Sequence, residues 1–459
     1  MTREGAPENA RLLAVQELVV YYKNKYPGDN QFFFHRNVNV EYSRSFGVCL
    51  KATGEISPDE IIIKLPPEER ICYETVGTIP METQSGREIL LSQVLDTIIA
   101  YCHTAAFQRP RWGLVQPCAI ATSVLVMFLA HNETRFSKVV ATWPSLAELR
   151  EQHSAWKELS QIYTEYMQKK QEDEDGLVCG FLHKFFDHNG VLSFFCSPDE
   201  DFLEQYQYAS HIVRSRAHRS DDFKSDLILP FIDIINGLPE CSLLNVRPPD
   251  ISENYRSVVR ARTAIIAGQQ LLIRYGQRLS PSIFCFTYGL FPGIMRAAEE
   301  FPLRDHVLVR LPASHCIDLS DDLRQNAIHH HGCKPLDGNV YIFAPHLLDT
   351  IGIPQCLKNL VVYLRIKTAT IDQLQNKSTL EEIGQIEDRP DIDSSLTRAM
   401  EVIVHNRTEL VYAKRRAEQN DIPKERKEVV LMLFQCAQDT MFLWNERLST
   451  IINRSQAIQ

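Results

Sequence analysis

The sequence lacks several features that would fix a class at once. None of its twelve cysteines forms a C-x-x-C pair, so a zinc ribbon or a thioredoxin-like dithiol has no support. No stretch reaches the ~18 consecutive apolar residues of a membrane-spanning helix. The best candidate, Ala119 to Ala130, is short and runs into His131, Asn132 and Glu133. Positive charge is not in excess: 49 Lys and Arg stand against 58 Asp and Glu, a formal net charge of −9. That balance suits nucleic acid poorly, because phosphate binding needs clustered cations, and no direct nucleic-acid partner is expected. Internal repeats and long low-complexity segments are missing too. Met1 to Arg11 carries Glu4 and Glu8 and no apolar stretch, and reads as neither a signal nor a transit peptide.

What is present is ordinary for a folded chain. Its 459 residues are 44% hydrophobic and 23% charged, which excludes a largely disordered or collagen-like protein and leaves room for about three domains. Scattered thiols fit a reducing compartment. The expected location is the cytoplasm, with the nucleus as alternative, and the expected state is a monomer without membrane attachment.

The character of the chain alternates. After a helical Leu12–Lys25, residues 1–89 read as strand and turn, with Val38–Tyr42 alternating and Ile61–Ile63 a buried strand. Residues 90–205 read as helices, from apolar spacings of three and four in Arg87–Thr104, Gln116–Ala130 and Leu146–Lys170. Lys169 to Asp175 is a charge run expected at a solvated helix end or loop. Residues 206–300 return to strands, at Leu227–Asn236, Ser257–Ala264 and Gln270–Tyr275, before a helix opened by Ser280 and Pro281. Residues 301–459 read as mostly helical. A helical block splitting a strand-rich region reads as an insertion, and the tail as a separate domain.

Four segments carry residues suited to chemistry. Gly47 precedes a strand, where a missing side chain lets backbone approach a ligand, although such a turn is ordinarily only a turn. Arg214-Ser-Arg216-Ala-His218 ends a helix. Its two arginines face different sides, one suited to a buried carboxylate and the other to solvent; charge compensation of the helix end is the plain alternative. Asp233 and Asn236 sit in the apolar run Leu229–Pro239 and need partners if buried. Tyr275 ends a strand, and Tyr288 follows thirteen residues later.

Taken in order and spacing, these segments resemble a SET-domain methyltransferase of the Rubisco large-subunit methyltransferase-like class. That class opens with G-x-G-L-x-A; Gly47, Leu50 and Ala52 match, and Cys49 replaces the second glycine. Its R-S-R-A-F appears as Arg214-Ser-Arg-Ala-His218. Its P-x-x-D-x-x-N-H appears as Pro230, Asp233 and Asn236, with Gly237 in place of His. Its G-E-Q-x-x-I-x-Y appears as Gly268 to Tyr275, and its Y-G-F as Tyr288-Gly-Leu290. Thr142-Trp-Pro-Ser145 is similar to the family's T-L-P element. The motifs span roughly residues 15–295, and the tail matches by length and helical character only.

The resemblance implies an α+β chain: a SET domain of small β-sheets with a pseudoknot, split by a helical insert and followed by a mostly α-helical substrate-binding domain. It implies methyl transfer from S-adenosylmethionine to a lysine of a protein substrate. Tyr275 would be the catalytic tyrosine. Gly47, Leu50, Arg216, Asp233, Asn236, Gly237 and Tyr288 would line the donor, and His218 and Tyr288 the acceptor. His218, where the family has Phe, is expected to stack like the ring it replaces. Cys49 is expected to crowd the donor, Gly237 to add flexibility and weaken binding, and Leu290 to loosen the pocket wall. A tryptophan before the Asp marks the family's histidine-methylating branch. Ile232 stands there, so lysine is the expected acceptor and histidine the alternative. A catalytically inactive scaffold that binds a protein partner is the other rival. A zinc module at His315-Cys316 and His329-His-His-Gly-Cys333 is a weaker rival, since adjacent histidines point apart; a solvated loop and no metal are expected there.

Overall fold

Two compact units make up the computed structural model, one from residues 1–154, 168–279 and 286–300, the other from 155–167, 280–285 and 301–459. The structure describes residues 7–28, 31–43, 47–103, 117–154, 162–218, 225–238, 242–251, 257–275, 280–289, 295, 303–318, 320–336, 339–349, 353–385 and 392–457. Leu290 lies outside them. The architecture is α+β, with small sheets, intervening helices and a largely helical C-terminal region.

In the first unit, helix α1 (Pro7–Lys25) leads into β1 (Phe33–Phe34), β2 (Val38–Ser43), β3 (Gly47–Ala52) and β4 (Ile61–Leu65). Strand β2 begins with the alternation of burial that its sequence foretells. It pairs antiparallel with β3 from Val38↔Ala52 to Ser43↔Gly47. Strand β4 is central to a three-stranded sheet between β1 and a later strand. After the short α2 (Tyr73–Val76), β5 (Pro80–Glu82) and β6 (Glu88–Leu90) form a hairpin, and only then does α3 (Leu91–Cys102) begin. The helix expected from Arg87 thus starts later. A turn with Gly86 at φ +78° folds Glu88–Leu90 back onto Pro80–Glu82 before the helical spacing takes over.

Helix α4 (Pro117–His131) is buried continuously from Ile120 to Leu129, the pattern of a helix surrounded by protein. Helices α5 (Ser137–Val140) and α6 (Leu146–Ser154) precede the long α7 (Tyr163–His188), whose first turn belongs to the second unit. The Lys169–Asp175 charge run lies inside α7, not at its end. Asp175 is buried and accepts from Gln171 at 2.6 Å, with Arg214 supplying a compensating charge. Helix α8 (Phe202–Arg216) ends within the Arg214–His218 segment, as expected, and its N-terminus is capped by Asp201 accepting from the Leu203 amide.

Next come β7 (Ala217–His218) with β8 (Leu227–Ile228) antiparallel to it, then β9 (Asn236–Leu238), β10 (Ser257–Arg260) and β11 (Leu272–Arg274). Strand β10 completes the sheet on β4, whereas β11 returns parallel to β9 with Leu272↔Asn236, Ile273↔Gly237 and Arg274↔Leu238. The chain therefore leaves β9, joins another sheet, and comes back beside β9. That return brings Tyr275 next to Asn236 and Gly237. Between β8 and β9, Phe231 has φ +67°, rare for a bulky residue. Its ring is fully buried against Tyr22, Phe32 and Phe34, with centroids 5.3, 5.6 and 5.8 Å away.

In the second unit, α9 (Pro281–Tyr288) contributes its first turns. Buried Asp305 accepts from the Ser282 amide at 3.2 Å and from the Ser282 hydroxyl, capping this helix start from a distance in sequence. Its own amide donates to Thr440 Oγ1 at 2.9 Å. The tail is mostly helical, as expected, and also holds one short strand pair, β12 (Val307–Arg310) antiparallel to β13 (Val340–Phe343). Between them α10 (Asp322–His331) is capped by Asp321 and closed by Gly332 at φ +60°. His329 to His331 are thus the end of a helix, not a loop. Cys333 is buried, and His331 Nε2 lies 2.9 Å from the Leu380 carbonyl. Among the described residues no group of three His, Cys, Asp or Glu is arranged to hold a metal ion. Helices α11 (Gln355–Thr368), α12 (Ile371–Gln375) and α13 (Lys377–Gly384) follow. Then α14 (Ile392–Gln419) and α15 (Lys424–Ala457) run antiparallel, with Lys414 reaching Gln435 and Ser449 reaching Met400. Trp444 is fully buried, its ring 4.8 Å from Phe343. Among the described residues no helix is long and apolar enough to cross a membrane.

Candidate functional site

The sequence motifs meet on β3, β9 and the ends of α8 and β11, all in the first unit. Gly47 opens β3 at φ +71°, a conformation that favours glycine, and open space lies where its side chain would stand. Leu50 is fully buried, and its carbonyl accepts from the Leu271 amide at 2.8 Å. Cys49 is buried, with a thiol pushed up to about 11 by burial and then by Glu41. It is a protonated packing group.

Asn236 ties β9 to β3: its Nδ2 donates to the Val48 carbonyl at 3.2 Å. Three residues earlier, Asp233 lies on a short 3-10 turn and receives Arg216 Nη1 on Oδ2 at 2.6 Å. Both side chains are nearly inaccessible, 8% exposed for Arg216 and 1% for Asp233. Burial raises the Asp233 pKa against the opposing pull of Arg216. Asp233 Oδ1 and Arg216 Nε are buried and have no hydrogen-bond partner within the chain, an arrangement that invites a polar ligand.

Arg11 joins this pair and was not foreseen. It projects from α1, and nothing in the local sequence separates it from a surface cation. Burial first, then the field of Arg216, lowers its pKa to about 10, with Glu148 and Asp233 acting in the opposite direction. Its Nε donates to the Thr142 carbonyl at 2.9 Å, and Tyr208 Oη donates to the Pro144 carbonyl at 3.1 Å. The Thr142–Ser145 stretch therefore serves the site through backbone carbonyls.

Tyr275 leaves β11 with its amide on the Leu238 carbonyl at 3.2 Å and its hydroxyl donating to the Ile235 carbonyl at 2.8 Å. Its ring stacks on Tyr288, with centroids 4.2 Å apart and planes at 21°. Burial raises both phenols, Tyr275 well above its ordinary value and Tyr288 to about 12. Neither ionises near neutral pH. With its proton given to Ile235, the Tyr275 oxygen keeps lone-pair capacity. It can accept polarised contacts, but it is no base.

Two expectations change. Gly237 has no positive φ, so its absent side chain answers a demand for space and not for flexibility. A methyl carbon there would overlap Cγ and both Cδ atoms of Tyr275. Nor does one arginine of Arg214-Ser-Arg216 face solvent. The Arg214 guanidinium lies 4.7 Å from the Phe286 ring centroid, with Nε and Nη1 buried among the charges of Asp175 and Glu174. His218 pairs with Leu227 in β7–β8, and burial lowers its pKa to about 4, so the ring is neutral.

No family model matches the chain, and no curated protein matches it in sequence. Solved structures do share its fold. A structure described as the SET domain of LSMT bound to lysine and AdoHcy aligns with a TM-score of 0.61 at 14% identity, covering 97% of this chain and 92% of that one. Rubisco LSMT bound to AdoMet aligns with a TM-score of 0.60 at 14% identity, covering 96% and 93%. Rubisco LSMT bound to sinefungin and monomethyllysine aligns with a TM-score of 0.58, again at 14% identity and with coverages of 96% and 93%. The chain therefore has a SET-domain fold of this architecture over nearly its whole length.

Proposed function

We propose that this protein transfers a methyl group from S-adenosylmethionine to a lysine side chain of a protein substrate. One observation carries the reading: within a fold shared with LSMT structures that hold AdoMet or lysine, Tyr275, stacked on Tyr288, stands directly against the strand of Asn236.

The residues present fit the donor. An amino-acid zwitterion needs one cation and one anion close together, and the orphaned Arg216 Nε and Asp233 Oδ1 supply both. Open space where a Gly47 side chain would stand leaves room for a ligand beside β3. In this reading Arg216, assisted by the field of Arg11, holds the carboxylate end. Asp233 and Asn236 hold polar groups of the donor, and Leu50 backs the strand. Bound there, S-adenosylmethionine supplies an electrophilic methyl carbon on a sulfonium sulfur.

The acceptor must arrive as a neutral amine. A free lysine, with a pKa of ~10.4, is neutral in well under 1% of molecules at pH 7. The half-buried aromatic pair favours the neutral form by desolvation. As the new N–C bond forms, the C–S bond breaks and its electron pair leaves with sulfur. Tyr275 orients the amine and accepts contacts from the polarised methyl group; its high pKa keeps it out of proton removal. The chain's contribution is alignment.

The test is mass spectrometry of proteins incubated with the purified enzyme and isotopically labelled donor. Methyl-lysine that appears with wild type and disappears with Tyr275→Phe supports the reading. Methyl-histidine alone would move the acceptor class. Donor binding with no labelled protein would leave a binding scaffold.

A further inference from the structure

We propose that Gly237 is a positioning residue for Tyr275: the lack of a side chain on β9 is what seats the tyrosine ring. This rests on the function proposed above and extends it to a residue that touches no reacting atom through a side chain.

The geometry is specific. Ile273, the register partner of Gly237 across β9–β11, lies two residues before Tyr275. The chain then turns so that the Tyr275 amide bonds Leu238 and its hydroxyl bonds Ile235. These two anchors straddle Gly237 and lay the ring across its α-carbon. A methyl at 237 would collide with the root of the ring, Cγ and Cδ, and not with a free end that can swing aside. The clash is relieved only if the Tyr275 side chain leaves its seat, breaking the Ile235 bond or the stack on Tyr288. The Gly237 backbone is not left-handed, so no backbone strain opposes a side chain there, and the three atoms nearest to a Cβ all belong to the Tyr275 ring.

The first experiment needs no activity. Gly237→Ala is made in wild-type and in Tyr275→Ala backgrounds, and thermal unfolding is compared. Overpacking of this kind should lower Tm by roughly 5 °C in wild type and by almost nothing where the ring is absent. If Gly237→Ala alone does not fold, the double variant should fold like Tyr275→Ala. Equal losses in both backgrounds, or no loss in either, overturn the proposal.

A second readout separates positioning from mere structure. Gly237→Ala should lower kcat about 100-fold while the donor Kd changes less than about threefold. In a Tyr275→Phe background it should add little further loss, because both changes act through one group. Full additivity in kcat, or a donor Kd that collapses with kcat, overturns the positioning role. Wild type without methyl transfer would defeat the function proposed above, while the thermal comparison would still decide the seat of the ring.

Discussion

Removing either partner of the Arg216–Asp233 pair should destabilise the first unit, but unequally. Asp233→Ala leaves the guanidinium of Arg216 buried and unpaired, in the field of Arg11, which that pair already perturbs. An uncompensated buried charge costs about 3–5 kcal/mol. A guanidinium cannot escape by losing its proton near neutral pH. Arg216→Ala leaves a carboxylate instead. Burial already raises its pKa, and the Arg216 field that opposed that rise would be gone. The variant protein can therefore take up a proton at Asp233 and become a neutral buried group, at a cost of about 1–3 kcal/mol. Arg11, whose field lowers this pKa, remains nearby and opposes part of that protonation. Urea unfolding followed by circular dichroism at pH 7 should rank Asp233→Ala below Arg216→Ala in stability. On lowering the pH to 5, Arg216→Ala should recover part of its loss, since a group whose folded pKa is raised binds its proton more tightly when folded. Asp233→Ala should show no such recovery. An Arg216→Ala variant as unstable as Asp233→Ala and insensitive to pH would refute the reasoning.

Two further outcomes follow from buried groups elsewhere. Asp305 is held at about 6 by burial, above its ordinary 3.8 in spite of hydrogen bonds from Ser282 and His306. Its contribution to stability is therefore greatest below about pH 4 and is lost as pH rises through 6; relative to Asp305→Asn, wild type should lose up to roughly 3 kcal/mol between pH 4 and pH 7, checked by unfolding at several pH values. At Phe231, alanine and glycine both forfeit a ring packed against Tyr22, Phe32 and Phe34, a loss of about 3–5 kcal/mol. The positive φ should make Phe231→Gly the more stable of the two by about 1 kcal/mol, and the reverse order would mean that the backbone relaxes away from this conformation.

The parts that could be read from sequence are those with long or local signals. Helix α8 ends at Arg216, within the Arg214–His218 segment that the sequence marks as a helix end, because the basic pair stands in its last turn. The alternation that opens β2 and the mostly helical character of residues 301–459 were equally plain. Strands β12 and β13 are four residues each, too short to show a period, and they exist because they pair with one another. In the Lys169–Asp175 run, Lys169, Glu172 and Asp173 are exposed as expected, but Asp175 is buried, because its compensating charge, Arg214, is distant in the chain. Arg11 was missed for the same reason: its connection to Arg216 and Asp233 spans some two hundred residues. Gly237 was noticed for what it replaces. Its meaning came from a ring contributed by another strand, which no local pattern contains.

The central claim is that the Gly47, Asn236 and Arg216–Asp233 surfaces form a donor site. Isothermal titration of S-adenosylmethionine into wild type and Asn236→Ala tests it most directly. Saturable one-site binding to wild type is expected, weakened at least about tenfold, some 1.4 kcal/mol, when the Asn236 side chain is removed. Absence of binding to folded wild type at millimolar donor, or equal binding to both proteins, would contradict it.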